Sequence, residues 1–211
     1  MDVAFTDSSL DLQGVGPVQP AGLAVVEDVC GVAFARVDQV HGDHVVTVDR
    51  PGRTDSPGDA LVTSTRGLGL MVRVADCVPV LLADADAGLV GAVHAGRPGL
   101  ALGVVTRAVE QLRDRGAGRL IAWIGPHVCS GCYEVPDAMR AEVAAVVPAS
   151  YAETTWGTPS LDLGAGVRSQ LDALGVETVD VGGCTREDTH LHSYRRDGDA
   201  AGRMAGLVWM P

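Results

Sequence analysis

Two histidines and a cysteine carry the strongest chemical signal in this chain. His41 stands in Q-V-H-G (39–42), Cys77 in A-D-C-V-P-V (75–80) and His94 in V-H-A-G-R-P-G (93–99). Two imidazoles and one thiolate form a three-ligand transition-metal set that leaves a coordination position open for water or substrate. Zinc in such a set binds the cysteine as thiolate and either acidifies bound water or polarises a substrate oxygen. Copper accepts the same donors. Each residue also has a plain structural reading, Cys77 as a small core residue and His94 as a satisfied histidine at a strand end. The Gly- and Pro-marked turns around Cys77 and His94 argue for convergence instead.

The elements that must position these residues are mostly strands. Apolar runs predict strands over 32–37, 44–48, 68–74, 78–83, 89–93, 120–124 and 178–181. Several are continuously apolar, as in strands covered on both faces. Helices are predicted over 98–115, opened by Pro98 and stopped by Gly116, over 137–147 and over 163–174. The order is not a regular β-α alternation, so the fold class is α+β with mixed sheets. Cys77 then lies in a kink between two strands. His94 ends a strand before a turn into the Pro98 helix, whose start would favour an anion.

Composition narrows the setting. A length of 211 residues with 46% apolar content suits one domain, residues 1–211, with a full core. The net charge of −11 argues against nucleic-acid or anionic-membrane partners and requires local arginines for any anionic substrate. No apolar run is long enough to span a bilayer, and the N-terminus lacks a secretory pattern. Five irregularly spaced cysteines fit reduced thiols in a cytoplasmic protein. The oligomeric state is not written in the sequence.

Other residues with chemistry to offer have competing readings. Cys129–Ser–Gly–Cys132 is a C-x-x-C, but no second C-x-x-C completes a zinc knuckle and no thioredoxin-like pattern precedes it. His44 is a neighbour of the site rather than a ligand, because residues three apart in a strand face opposite sides. His127 is a candidate proton donor, whereas His190 and His192 lie in a polar, solvated stretch. Arg195 and Arg196, read as adjacent strand residues, face opposite ways, so at most one reaches a shared pocket. A guanidinium there would bind phosphate bidentately; otherwise it pairs with Asp197. Asp76 either orients a ligand imidazole, holds a substrate hydroxyl or caps a turn. Glu134 either transfers a proton or is structural.

Five motifs occur in order: Q-V-H-G, A-D-C-V-P-V, V-H-A-G-x-x-G, I-G-P-x-x-x-x-x-C-Y-E-V (124–135) and C-T-x-x-x-x-x-x-x-S-Y-R-R-D-G (184–198). Together they resemble the YfiH/laccase-domain family, also called polyphenol-oxidase-like or multicopper-oxidase-like. The resemblance implies a four-layer α/β/β/α arrangement and zinc at His41, Cys77 and His94. It also implies phosphorolysis of adenosine, inosine, guanosine and methylthioadenosine, deamination of adenosine, and a link to peptidoglycan editing. Two departures stand out. The usual H-A-G-W-R-G reads His94–Ala–Gly–Arg97–Pro98–Gly99 here, without the Trp and with the Arg one place earlier. The usual Cys-rich I-G-P segment instead holds His127, Cys129 and Cys132.

The expectation is therefore a zinc enzyme acting on purine nucleosides and inorganic phosphate. Asp76, His127 and Glu134 are its catalytic candidates. Arg97, Arg195, Arg196 and Ser193 are its substrate- or phosphate-binding candidates, with Arg196 or Arg97 expected to share the phosphate charge. The alternatives are a hydrolase with Cys77 as nucleophile and His94 as base, directed at peptidoglycan precursors, then a copper polyphenol oxidase. A zinc-stabilised interaction domain is the non-enzyme reading.

Overall fold

The computed structural model describes residues 1–14 and 22–211. Its strands begin with β1 (Asp2–Phe5), β2 (Ala33–Arg36), β3 (Val45–Thr47), β4 (Gly52–Arg53) and β5 (Ala60–Thr63). They continue with β6 (Leu68–Val74), β7 (Val78–Asp84), β8 (Leu89–Ala95) and β9 (Ile121–Ile124). The last are β10 (Tyr151–Glu153), β11 (Pro159–Leu161), β12 (Glu177–Asp180) and β13 (Met204–Trp209). The helices are α1 (Leu23–Cys30), α2 (Arg97–Leu102), α3 (Val104–Asp114), α4 (Asp137–Val146), α5 (Leu163–Ala173) and α6 (Tyr194–Asp197).

Two mixed sheets form the centre, in the orders β1-β13-β6-β2-β4 and β12-β9-β7-β8-β5-β3, with β10 and β11 as a separate pair. Strand alternation explains the layers. Along β7, Leu81 and Ala83 face the other sheet and pack with Leu70, Val72 and Val208, while Val78, Val80 and Leu82 face the helices. There they meet Val105, Val109 and Leu112 of α3 and Val167 and Leu171 of α5. On the outer face of the first sheet, Phe34, Met71 and Leu207 pack under Leu23 and Val26 of α1. The layers are therefore helix, sheet, sheet, helix, an α+β fold. The continuous apolar character of β6, β7 and β8 follows from burial on both faces.

The sequence reading did not include β1, α1, β5 and β13, and two segments that it did assign differ for local reasons. The helix expected over 98–115 is broken in two at Gly103, whose φ of 83° ends α2 and starts α3. Glycine takes this left-handed conformation without a Cβ penalty. Arg195 and Arg196, read as strand neighbours, lie in α6, because Ser193 caps the turn by accepting from the Arg196 N–H. No helix among the described residues is long and apolar enough to cross a membrane.

Candidate metal centre and arginine-lined cavity

Sheet register brings the three metal-ligand candidates together. β7 and β8 pair antiparallel with Pro79 opposite His94 and Val78 opposite Ala95. Cys77, one residue before β7, is thereby placed beside Gly96. β5 pairs with β8 through Ala60 opposite Val93, so Asp59 falls next to His94. The Asp59 carbonyl accepts from the His94 N–H at 2.7 Å, and its carboxylate accepts from His94 Nδ1 at 2.7 Å. That same carboxylate accepts from the backbone N–H groups of Val40 (3.2 Å), His41 (2.9 Å) and Gly42 (2.6 Å). One fully buried side chain therefore sets both the His94 tautomer and the course of the His41 loop. Sequence reading missed Asp59, since its partners arrive from a loop and a strand separated from it along the chain.

The His41 and His94 rings sit edge to face at 4.8 Å, and Cys77 Sγ lies 3.8 Å from His41 Nε2. The three ligand atoms lie within 4.8 Å of one another. His41 (φ 59°) and Asp76 (φ 95°) occupy the left-handed region that non-glycine residues seldom adopt. Strain of this kind marks positions held in place by their surroundings. Burial raises the Cys77 thiol, but the His94 charge and hydrogen bonds from His41 and His94 outweigh it and hold the thiol at about 6. Burial lowers His94, yet the Cys77 thiolate and Asp59 raise it to about 9.

Gly96 keeps the centre open. A Cβ there would stand 2.6 Å from His41 Cδ2 and 3.2 Å from Cys77 Sγ. Gly96→Ala is expected to weaken metal binding at least ~10-fold by displacing ligands, read by competition with a chromophoric chelator. Unchanged affinity would show that the His41 ring gives way freely.

The centre opens onto a cavity of about 780 Å³, whose polar lining includes Gln39, Tyr133, Tyr194 and three arginines, Arg73, Arg195 and Arg203. This is the local cationic cluster that an acidic chain needs to hold an anion. Gln39 fixes Arg73 by a reciprocal pair, its Nε2 donating to the Arg73 carbonyl (2.7 Å) and its Oε1 accepting from the Arg73 N–H (2.8 Å). Arg195 stacks on Tyr133 at 4.4 Å and donates to the Glu134 carbonyl at 2.7 Å. Burial pushes the Tyr133 phenol up, so it stays protonated at neutral pH. Arg73 and Arg203 were not singled out in the sequence; each is isolated along the chain, and only β6 pairing with β13 makes them neighbours of the cavity.

The remaining candidates are placed as follows. Arg195 reaches the cavity. Arg196 pairs with Asp197 (2.8 Å) and donates to the carbonyls of Thr185, Asp188 and Leu191. Ser193 is buried, and its hydroxyl donates to Asp76 at 2.7 Å. Asp76 lines the cavity, but its carboxylate also accepts from Thr185 Oγ1 and the Arg195 N–H, each at 2.7 Å. Asp59, not Asp76, orients the imidazole. Glu134 faces an adjacent groove and accepts from Trp156 Nε1 at 2.8 Å. His127 donates to the Gly125 carbonyl (2.9 Å) and packs on Gly164, outside the residues lining the cavity. Arg97 is half-buried at the start of α2, also outside that lining. At six residues, α2 is too short to supply the helix-terminal anion site expected at Pro98. His44 bonds the Pro57 carbonyl (2.9 Å) away from the centre, and His192 is not solvated but half-buried against the Leu10 carbonyl (3.1 Å).

The class is defined by a layered α/β/β/α fold with a two-imidazole, one-thiolate set at the strand ends that could hold a metal. The chain belongs to the multi-copper polyphenol oxidoreductase laccase family, whose model matches residues 23–211. It is 55% identical over 188 residues to a Streptomyces coelicolor purine nucleoside phosphorylase, covering 85% of this chain and 77% of that one. A Mycobacterium tuberculosis purine nucleoside phosphorylase is 49% identical over 194 residues, covering 90% and 77%. In fold it resembles the Bacillus licheniformis hypothetical protein YfiH, with a TM-score of 0.82, 22% identity and 99% and 92% coverage. YlmD from Geobacillus stearothermophilus gives a TM-score of 0.80 at 25% identity, with 99% and 92% coverage.

Proposed function

We propose that the chain is a zinc-dependent purine nucleoside phosphorylase that also deaminates adenosine. The observation that carries the reading is a single cavity shared by the His41–Cys77–His94 set and by Arg73, Arg195 and Arg203. The donor set fits the metal: a thiol held as thiolate, an imidazole oriented from behind by Asp59, and space preserved by Gly96. Bound zinc supplies Lewis acidity toward a substrate oxygen or water. The relatives named purine nucleoside phosphorylase support the phosphorylase part of this reading.

In phosphorolysis a phosphate oxygen forms a bond to the anomeric carbon as the glycosidic C–N bond breaks, and the departing purine takes up a proton. Arg73, Arg195 and Arg203 hold the phosphate by charge-assisted hydrogen bonds and keep it against the sugar. Tyr133, protonated and lining the same cavity, is the hydroxyl placed to donate a proton to the leaving base. Asp76 acts as a positioning residue, fixing Ser193 and the Arg195 backbone. Tyr194 and Leu163 also line the cavity.

The test is incubation of zinc-verified protein with adenosine, with and without phosphate, and chromatography of the products. Adenine that appears only with phosphate supports phosphorolysis, and inosine without phosphate supports deamination. Absence of adenine, inosine and hypoxanthine overturns the reading. Arg195→Ala is expected to raise the phosphate KM about 10–100-fold, the value of one lost charge-assisted contact. Arg196→Ala is expected to leave that KM within about twofold, since Arg196 lies outside the cavity lining and its guanidinium is taken up by Asp197 and three carbonyls.

The Cys77–His94 ion pair favours a second reading, a hydrolase with Cys77 as nucleophile acting on peptidoglycan precursors. That enzyme would work without metal and form a thioester or related covalent intermediate, detectable by mass. Copper in the purified protein together with phenol oxidation would instead establish the polyphenol oxidase.

A further inference from the structure

A second cluster of ligand-type side chains lies outside the cavity. Cys129, Cys132, Cys184 and Glu187 place their three Sγ atoms and one carboxylate oxygen within 4.8 Å of one another. The cysteines are free thiols. Cys129–Ser–Gly–Cys132 is a tight turn, with the N–H groups of Cys132 and Tyr133 both donating to the Cys129 carbonyl at 3.0 Å. Cys184–Thr–Arg–Glu187 forms a matching turn, with the N–H groups of Glu187 (3.2 Å) and Asp188 (2.9 Å) donating to the Cys184 carbonyl. The missing second half of the knuckle is thus present, with glutamate where a second C-x-x-C would carry its last cysteine.

The two turns are docked by backbone pairing. His127 and Cys184 form a parallel bridge, and the Thr185 N–H donates to the His127 carbonyl at 3.0 Å. The Cys129 N–H points at Cys184 Sγ (3.4 Å), and Cys132 Sγ donates to Glu187 Oε1 (3.4 Å). The backbone N–H aimed at Cys184 Sγ favours its thiolate, the form a metal requires. A tetrahedral zinc with Zn–S of about 2.3 Å and Zn–O of about 2.0 Å sets ligand atoms roughly 3.5–3.8 Å apart. The observed spread of up to 4.8 Å closes to that within about 1 Å.

We propose that Cys129, Cys132, Cys184 and Glu187 form a second, structural zinc site, independent of the His41–Cys77–His94 centre. Four protein donors leave no open position, so the site is structural rather than catalytic. It pins the turn that leads into Tyr133 to the segment that runs through Thr185 to Ser193 and Arg195. Both segments converge on Asp76, which accepts from Thr185 and Ser193 and whose carbonyl takes the Val128 N–H. The metal thereby fixes two walls of the cavity from outside it.

The experiment uses the full chain, stripped of metal under reductant and titrated with zinc. Two equivalents are expected for the wild type, one for Cys132→Ser and one for His94→Ala. Residue-resolved alkylation of the wild type supplies a readout that survives a misfolded variant. Bound zinc is expected to slow modification of Cys129, Cys132 and Cys184 about tenfold or more relative to chelated protein, with Cys30 unaffected as internal reference. The proposal is overturned if the wild type binds one equivalent that Cys132→Ser retains. It is equally overturned if these three thiols react alike with and without zinc, or if two of them form a disulfide under reductant in the presence of zinc.

Discussion

Asp59→Ala is expected to lower the unfolding free energy by about 3–5 kcal/mol and to weaken metal binding about 10–100-fold. The carboxylate is fully buried and accepts four hydrogen bonds, from three successive backbone N–H groups and from His94 Nδ1. Truncation orphans all four donors and frees the His94 ring to rotate. Asp59→Asn, which keeps one acceptor oxygen, should fall between wild type and alanine. Burial raises the Asp59 carboxyl, but hydrogen bonds from His94 and the loop outweigh it and hold it below its ordinary value of 3.8. Its stabilising contribution is therefore complete above that value and lost as pH falls through the lower folded value. Denaturant melts of the three proteins at neutral pH, with chelator competition, check the result. A stability loss under about 1 kcal/mol with metal affinity unchanged would remove Asp59 from its central place.

The Cys77–His94 pair is expected to make metal affinity steeply pH-dependent while leaving fold stability nearly flat. The folded thiol at about 6 stabilises above its unfolded value of 9.0, a contribution lost as pH falls toward 6. The folded imidazole at about 9 stabilises below its unfolded value of 6.5, a contribution lost as pH rises toward 9. Between roughly 6.5 and 9 the two slopes cancel, because the pair holds one proton in both folded and unfolded chains. Metal binding needs thiolate and neutral imidazole, so it expels that one proton. Between pH 6 and 9 the apparent affinity should rise about tenfold per pH unit from this pair, roughly 1,000-fold in all. Zinc competition titrations at several pH values measure the slope. In metal-free protein, iodoacetamide modification of Cys77 should follow an ionisation near 6 rather than 9, and bound metal should suppress it. An alkylation midpoint near 9 would mean that the ion pair does not form.

The parts of the site that the sequence exposes are those whose chemistry resides in the residue type and the local turn. Cys77 and His94 stand out because both lie in Gly- or Pro-marked turns, which argues against their plain structural readings, and His41 completes a three-donor set with them. Likewise β6, β7 and β8 are visible as continuous apolar runs, since burial on both faces removes the polar alternation. Gly103 was harder to read, because a glycine within a helical pattern only sometimes takes a positive φ. Arg195 and Arg196 were expected to diverge because strand neighbours alternate. They do diverge, but as consecutive residues of a capped helical turn.

Sequence alone therefore determined the fold class, the three ligand candidates and the need for a cationic pocket in a chain of charge −11. Tertiary structure decided which residues answer that need. Arg73 and Arg203 meet through the pairing of β6 with β13, and Asp59 meets His94 through the register of β5 on β8. Cys184 and Glu187 meet Cys129 and Cys132 through a single β-bridge. A side chain's type is local information, whereas its partners are set by which strands pair and in what register. One residue of slip of β5 on β8 would carry Asp59 out of register with His94.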